Sequence, residues 1–207
     1  TYSNNALTLA GVGSKTVLEN IMCSFSGNNS FKIYGGNINL TKAISLKAIG
    51  DDYSFTQGTQ LNFENSLAIR NSFVYTGGAR CIEIENFDKN DDTDYTKKAT
   101  KITAKNITLL NDSENLETEI SQGLIKDAIR ISENTTVSFS KSVISGFNPA
   151  IILDSKIQLD VFDFKKIQLE NIFFNNCKGN VYAENNANNE DLEDYYGNAL
   201  FSNYYSK

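Results

Sequence analysis

Apolar and polar residues alternate along most of this chain in short bursts, and Asn, Gly, Asp or Ser interrupts the alternation every few positions. A period of two marks an extended strand with one buried face. The interrupting residues are those that turns favour, so the pattern predicts many short strands joined by tight turns. Helical periodicity is almost absent. The strand signals, each about three residues long, include Phe31-Lys32-Ile33, Ile38-Asn39-Leu40, Leu61-Asn62-Phe63, Leu67-Ala68-Ile69, Ile82-Glu83-Ile84, Ile129-Arg130-Ile131, Val137-Ser138-Phe139, Ile151-Ile152-Leu153 and Ile157-Gln158-Leu159.

These signals recur at a nearly fixed interval. Val17 to Ile38 is 21 positions, Ile38 to Leu61 is 23, Phe31 to Phe55 is 24 and Ile129 to Ile151 is 22. A sandwich needs no such register, whereas a solenoid does. The expected fold is therefore all-β, a single-stranded right-handed parallel β-helix built as a solenoid of about 22-residue coils. A β-sandwich is the alternative; it explains the alternation but not the spacing. Two segments look like copies of each other: Leu18-Glu19-Asn20-Ile21 leading to Gly27-Asn28, and Leu169-Glu170-Asn171-Ile172 leading to Gly179-Asn180, with Lys105-Asn106-Ile107 a weaker third. In each, Asn precedes a strand, as suits a corner in the left-handed backbone region. About one residue in eight is Asn and only one is Pro, which fits many corners and strands that need every backbone N–H.

Two stretches break the period. Residues 86–98 are polar and acidic and read as a loop thrown out of one coil; residues 111–122 form a shorter excursion with a turn of helix around Glu114 to Ile120. The expected organisation is a β-helix over residues 1–182, followed by a polar and aromatic C-terminal cap or tail over 183–207. Within the latter, the run Glu184 to Asp194 reads as solvated, and Tyr195-Tyr196, Leu200-Phe201 and Tyr204-Tyr205 as the cluster that closes the stack.

Composition narrows the chemistry. The chain has 207 residues and no His, which excludes Ser-His-Asp and Cys-His catalysis and His-ligated metals. A net charge of −6 argues against nucleic acid as a partner. No stretch approaches the apolar length of a membrane helix. The chain opens at Thr1 with no initiator Met and no signal-like segment, so a longer native product is expected. Cys23, Cys81 and Cys177 are odd in number and widely spaced, and read as small buried apolar side chains.

Three sets of residues could carry function. Asp51 and Asp52 sit at a coil corner one period after Asn28-Asn29, where the pairs would stack and project to one side; with Arg80, presented after Gly77-Gly78-Ala79, they are the candidate catalytic groups of a polysaccharide lyase or glycosidase. Pairing of Arg70, Arg80 and Arg130 with carboxylates on adjacent coils is the plainer expectation. Asp88, Asn90, Asp92 and Asp94 place oxygen ligands at alternate positions, as in the first half of an EF-hand loop, and are the candidate metal site. Thr93 and Ala99 stand where that loop needs Gly and Glu, so an EF-hand is excluded. No cofactor motif is present, and Ca²⁺ is the one ion the acidic loop would suit. Tyr34, Tyr53 and Tyr75, spaced 19 and 22 apart, would form a ladder able to stack sugar rings.

The segment Leu7-Thr8-Leu9 followed by Gly11-Val12-Gly13-Ser14-Lys15-Thr16-Val17-Leu18-Glu19 resembles the "LTLxGVGSGTxxEY" run of a poorly characterised group of Bacteroidetes secreted or surface, lipoprotein-like parallel β-helix proteins. Phe31-Lys32-Ile33-Tyr34-Gly35-Gly36-Asn37-Ile38-Asn39 is similar to its "FEFFGGTVN", and Asp51-Asp52-Tyr53-Ser54-Phe55 to its "DDDFD"; the likeness runs over about residues 7 to 180. It implies a β-helix and a secreted or outer-membrane surface location in a bacterium. Taken together, the sequence predicts a non-catalytic module that binds a polysaccharide or a surface protein, with a Ca²⁺-assisted lyase or glycoside hydrolase as the alternative.

Overall fold

The computed structural model describes residues 4–71, 79–87, 98–185 and 189–206. The chain winds through two parallel sheets. The first contains β1 (Leu7–Ala10), β4 (Phe31–Tyr34), β7 (Tyr53–Thr56), β9 (Ile82–Ile84), β11 (Ile129–Ile131), β13 (Ile151–Leu153) and β15 (Val181–Ala183), in that order. The second runs β2 (Val17–Glu19), β5 (Asn37–Thr41), β8 (Gln60–Arg70), β10 (Lys101–Asn111), β12 (Thr136–Ser145), β14 (Ile167–Asn175) and β16 (Tyr204–Ser206), with β3 (Met22–Ser24) and β6 (Ile44–Leu46) extending it beside β8. Every described pairing is parallel. Each strand pairs with its counterpart one coil on, which is the arrangement of a parallel β-helix; the β-sandwich alternative falls.

In-register stacking builds the core. Leu7, Phe31, Tyr53, Ile82, Ile129, Ile151 and Val181 lie one above another on the inner face of the first sheet. On the second, Leu18, Leu40, Phe63, Ala104, Phe139 and Leu169 do the same. Phe31 and Tyr53 stack at 5.0 Å with their planes 18° apart, so aromatic contact reinforces the apolar column. Cys23 and Cys81 are buried in this interior, Cys177 is partly buried, and all three are free thiols.

The corners account for the asparagines. Asn20, Lys42, Asn65, Asn106, Lys141 and Asn171 occupy equivalent places in successive coils, each with φ between 52 and 57°. One left-handed residue bends the strand without ending its pairing. The central strands therefore run to 11 residues in β8 and β10, well past the three-residue segments the alternation suggested. Asn106 Nδ2 donates to Asn65 Oδ1 at 3.0 Å, linking two of these corners.

Among the described residues, three short α-helices interrupt or follow the coils. α1 (Leu116–Ser121) falls within the expected excursion. α2 (Val161–Lys166) follows Ile157-Gln158-Leu159, which is not a strand: Leu159 takes a φ of 56°, and Asp160 then caps the helix by accepting from the N–H groups of Phe162 and Asp163. α3 (Asn189–Gly197) overlaps the polar run read as solvated, because Leu192 and Tyr196, four residues apart, give it one buried face. The Tyr196 hydroxyl donates to the Ile167 carbonyl at 3.1 Å, and the Asn203 amide donates to the Leu169 carbonyl at 3.0 Å.

Lys141 is exposed and occupies a left-handed corner that favours Gly or Asn. Lys141→Gly should leave stability unchanged or raise it by up to about 1 kcal/mol, and Lys141→Ile should lower it by about 1–2 kcal/mol. The midpoints of urea unfolding would show both; equal midpoints would contradict the strain assigned to this corner.

Candidate active site and polar face

Asp51 and Asp52 precede β7 at a bend in the chain that leaves Asp51 partly exposed and buries Asp52. They therefore do not project together as expected. Asp52 is fully buried: its Oδ2 accepts from Arg70 Nη1 at 2.9 Å and its Oδ1 from Ser45 Oγ. Arg70, at the end of β8, is 5% exposed and also donates to the carbonyls of Gly50 at 2.9 Å and Arg80 at 3.0 Å. Burial works against the Arg70 charge, but the charge and hydrogen bond of Asp52 together with Cys81 and Asp51 outweigh it and hold the guanidinium's pKa above its usual value. Gly50 has no room for a Cβ, which would meet the Asn28 backbone at 2.7 Å and the Asn29 side chain closer still. This corner is locked to the coil beneath it, and Asn29 Oδ1 accepts the Asp51 N–H at 2.9 Å.

Asp51 is partly exposed, and among the described residues its side chain accepts one hydrogen bond, from the Arg80 N–H at 2.9 Å. Burial lifts its pKa to about 6; the Arg80 N–H opposes the rise, Glu83 adds to it, and the Arg70 and Arg80 charges oppose it. The Arg80 side chain is already engaged. Its Nη1 pairs with Glu83 Oε2 at 2.8 Å and its Nε with Asp127 Oδ2. Burial disfavours the Arg80 charge, yet Asp127 and Glu83 more than compensate and raise its pKa, so it is a poor proton acceptor.

The network continues up the first sheet. Glu83 and Arg130 are direct partners across β9 and β11. Arg130 contacts Glu83 at 3.1 Å, Asp154 at 2.7 Å and Glu184 at 2.9 Å, using all three of its nitrogens. All three arginines of the chain thus bind carboxylates, mostly on neighbouring coils, as the plainer sequence expectation had it. Sequence reasoning did not place Glu83, Asp127, Asp154 and Glu184 in this site. The signal was present in Ile82-Glu83-Ile84 and Ile129-Arg130-Ile131, which put opposite charges at the centre of two equivalent triplets.

The tyrosine ladder does not form. Tyr53 points into the core, with no exposed surface, and its hydroxyl donates toward the carbonyls of Ala43 and Leu67. Tyr34 lies in a different row, beside Ala10 and Thr56, partly exposed with Lys32 Nζ 5.3 Å from its ring centre. Tyr75 and the candidate ligands Asp88, Asn90, Asp92 and Asp94 lie outside the described residues. Among the described residues no group of three or more His, Cys, Asp or Glu could hold a metal ion.

A second surface is chemically different. The outward positions of β5, β8, β10, β12 and β14 that precede the left-handed corners carry rows of polar side chains, many of them amides and hydroxyls, whereas Leu67, Thr108, Val143 and Phe173 beyond the corners make a largely apolar row. One row runs Asn39, Asn62, Thr103, Ser138, Gln168. Asn62 Nδ2 donates to Asn39 Oδ1 at 2.8 Å, leaving the Asn39 amino group and the Asn62 oxygen turned to solvent. A groove of about 200 Å³ lies on this face, lined by Asn37, Gln60, Leu61, Asn62, Lys101 and Thr103. The polar centres of the triplets Ile38-Asn39-Leu40 and Leu61-Asn62-Phe63 were its sequence signal.

Two measurements test these assignments. Arg70→Met leaves Asp52 buried without a counter-charge and should cost about 3–5 kcal/mol, while adding Asp52→Asn should restore part of the loss. Strict additivity in urea unfolding would show that the pair is not coupled. Asp51 has a folded pKa above its unfolded value, so its contribution is full below about pH 4 and is lost as pH rises through 6. Asp51→Asn should therefore flatten stability between those limits, by at most about 2–3 kcal/mol. An unchanged pH profile would contradict the raised pKa.

Comparison with known proteins agrees with the coil-on-coil pairing. A family model described as a pectate-lyase like beta helix domain matches residues 1–203. No curated protein and no solved structure matches the chain. With that match spanning almost the whole chain and parallel strands stacked throughout, the protein belongs to the family of pectate-lyase like beta helix domains.

Proposed function

We propose that this protein is a non-catalytic β-helix module that binds a glycan along one long face of its solenoid. One observation carries the reading: the charged groups that would do chemistry are spent on one another, whereas the second sheet turns a continuous row of amides and hydroxyls to solvent. Asn, Gln, Ser and Thr match the donor and acceptor pattern of sugar hydroxyls. A rigid sheet holds them in place before any ligand arrives, so little ordering entropy opposes binding. In this reading the solenoid is right-handed, residues 183–207 close its end, and the protein works at a bacterial surface or outside the cell.

A lyase or hydrolase is the second reading, and the Asp51 carboxyl favours it, since a pKa near 6 suits a general acid or base. Incubation with a panel of polysaccharides, with and without Ca²⁺, separates the two. The binding reading expects retained polymer of unchanged length. Unsaturated products, detected by ultraviolet absorbance, or new reducing ends that disappear in Asp51→Asn would establish the enzyme instead.

A further inference from the structure

We infer that the amide and hydroxyl face of the second sheet selects a neutral, hydroxyl-rich polysaccharide over a polyuronate or another acidic chain; this rests on the glycan-binding reading above. Charge on that face is nearly balanced. Among its outward positions Lys101 and Lys105 stand against Glu64 and Glu170, with Lys105 and Glu64 direct partners across β10 and β8. Glu19, at the end of the same set of rows, is neutralised by Lys42 at 2.8 Å. An acidic polymer would find an excess of one cation here, the exposed corner residue Lys141, and it would approach a chain of net charge −6.

The arginines point the same way. A guanidinium is the side chain best shaped to grip a carboxylate in two-pronged fashion, and all three in this chain are held by Asp or Glu. What remains open along the row from Asn39 to Gln168 is neutral hydrogen-bonding capacity. The Asn37 side chain, the Asn62 oxygen and the Thr103 hydroxyl flank the groove, with the Asn39 amino group beside them, and Lys101 is the one cation lining it among the described residues. Rows of equivalent side chains repeat every roughly 4.8 Å along the solenoid, so a polymer lying along that direction would meet the same kind of group at each step.

Calorimetric titration tests this with galactomannan, xyloglucan and hydroxyethyl cellulose as neutral probes and polygalacturonate as the acidic one, each at low and high salt. The expected result is binding of at least one neutral polymer with an affinity that hardly changes with salt. The double variant Asn62→Ala, Thr103→Ala removes two exposed polar groups without touching the core, and should weaken binding about tenfold or more. Asp51→Asn should bind like the parent. Preference for polygalacturonate, a steep loss of affinity with salt, or neutral binding indifferent to the double variant would overturn the inference while leaving a glycan-binding function in place. Silence with every polymer would overturn both.

Discussion

Everything in this molecule depends on the parallel register between one coil and the next. Hydrogen bonds between equivalent strands set that register, and once set it makes each side chain the neighbour of its counterpart above and below. Apolar positions then fuse into columns such as Leu9, Ile33, Phe55, Ile84, Ile131, Leu153 and Ala183. Burial of those columns is the main favourable term, and a one-residue slip would turn each of them outward. Left-handed corners serve the same end, because they let a strand change direction without leaving the ladder.

The same repetition governs charge. Stacking places like beside like, which would be destabilising for ionic groups, so the first sheet alternates sign instead: Glu83 meets Arg130, and Arg130 meets Asp154 and Glu184. Near the Asp51 corner the groups move inside. Asp52 and Arg70 stand among Ser45, Cys81 and backbone carbonyls, where removing either partner exposes the other to an apolar interior. These pairs tie separate coils together and fix the register. The second sheet uses the same device where Glu64 meets Lys105, and elsewhere sets neutral amides and hydroxyls that tolerate stacking upon their own kind.

Much of the architecture was visible in the alternation and in the interval between strands. Asn20, Asn106 and Asn171 were recognisable as corners because a left-handed backbone has few suitable side chains; Lys42 and Lys141, at equivalent places, were not, since Lys carries no such signal. Helix α3 was hidden for a related reason. Only Leu192 and Tyr196 mark its buried face, and the remaining positions are mostly polar. The site was harder to see. The sequence reading grouped Asp51, Asp52 and Arg80 as candidates, but the direction in which each side chain points depends on strand parity and on the bend before β7, which sends Asp52 into the interior next to the inward-facing Tyr53. The polar face went unnoticed because single Asn and Thr residues at strand centres look like ordinary solvent-facing positions until the register lines them up.

The coil that contains β14 has a consequence for behaviour in concentrated solution. A solenoid ends in a strand with unpaired backbone groups, and such an edge invites another molecule to add its own coil and grow a fibre. Here the carbonyls of Ile167 and Leu169 already accept from Tyr196 and Asn203, and the Ile172 N–H donates to the Asn203 side-chain oxygen at 2.9 Å. The rest of that strand is taken by β16, whose Tyr205 stacks on Phe174 at 5.2 Å. An incoming strand that paired with β14 would have to displace a folded helix, an amide and a packed ring.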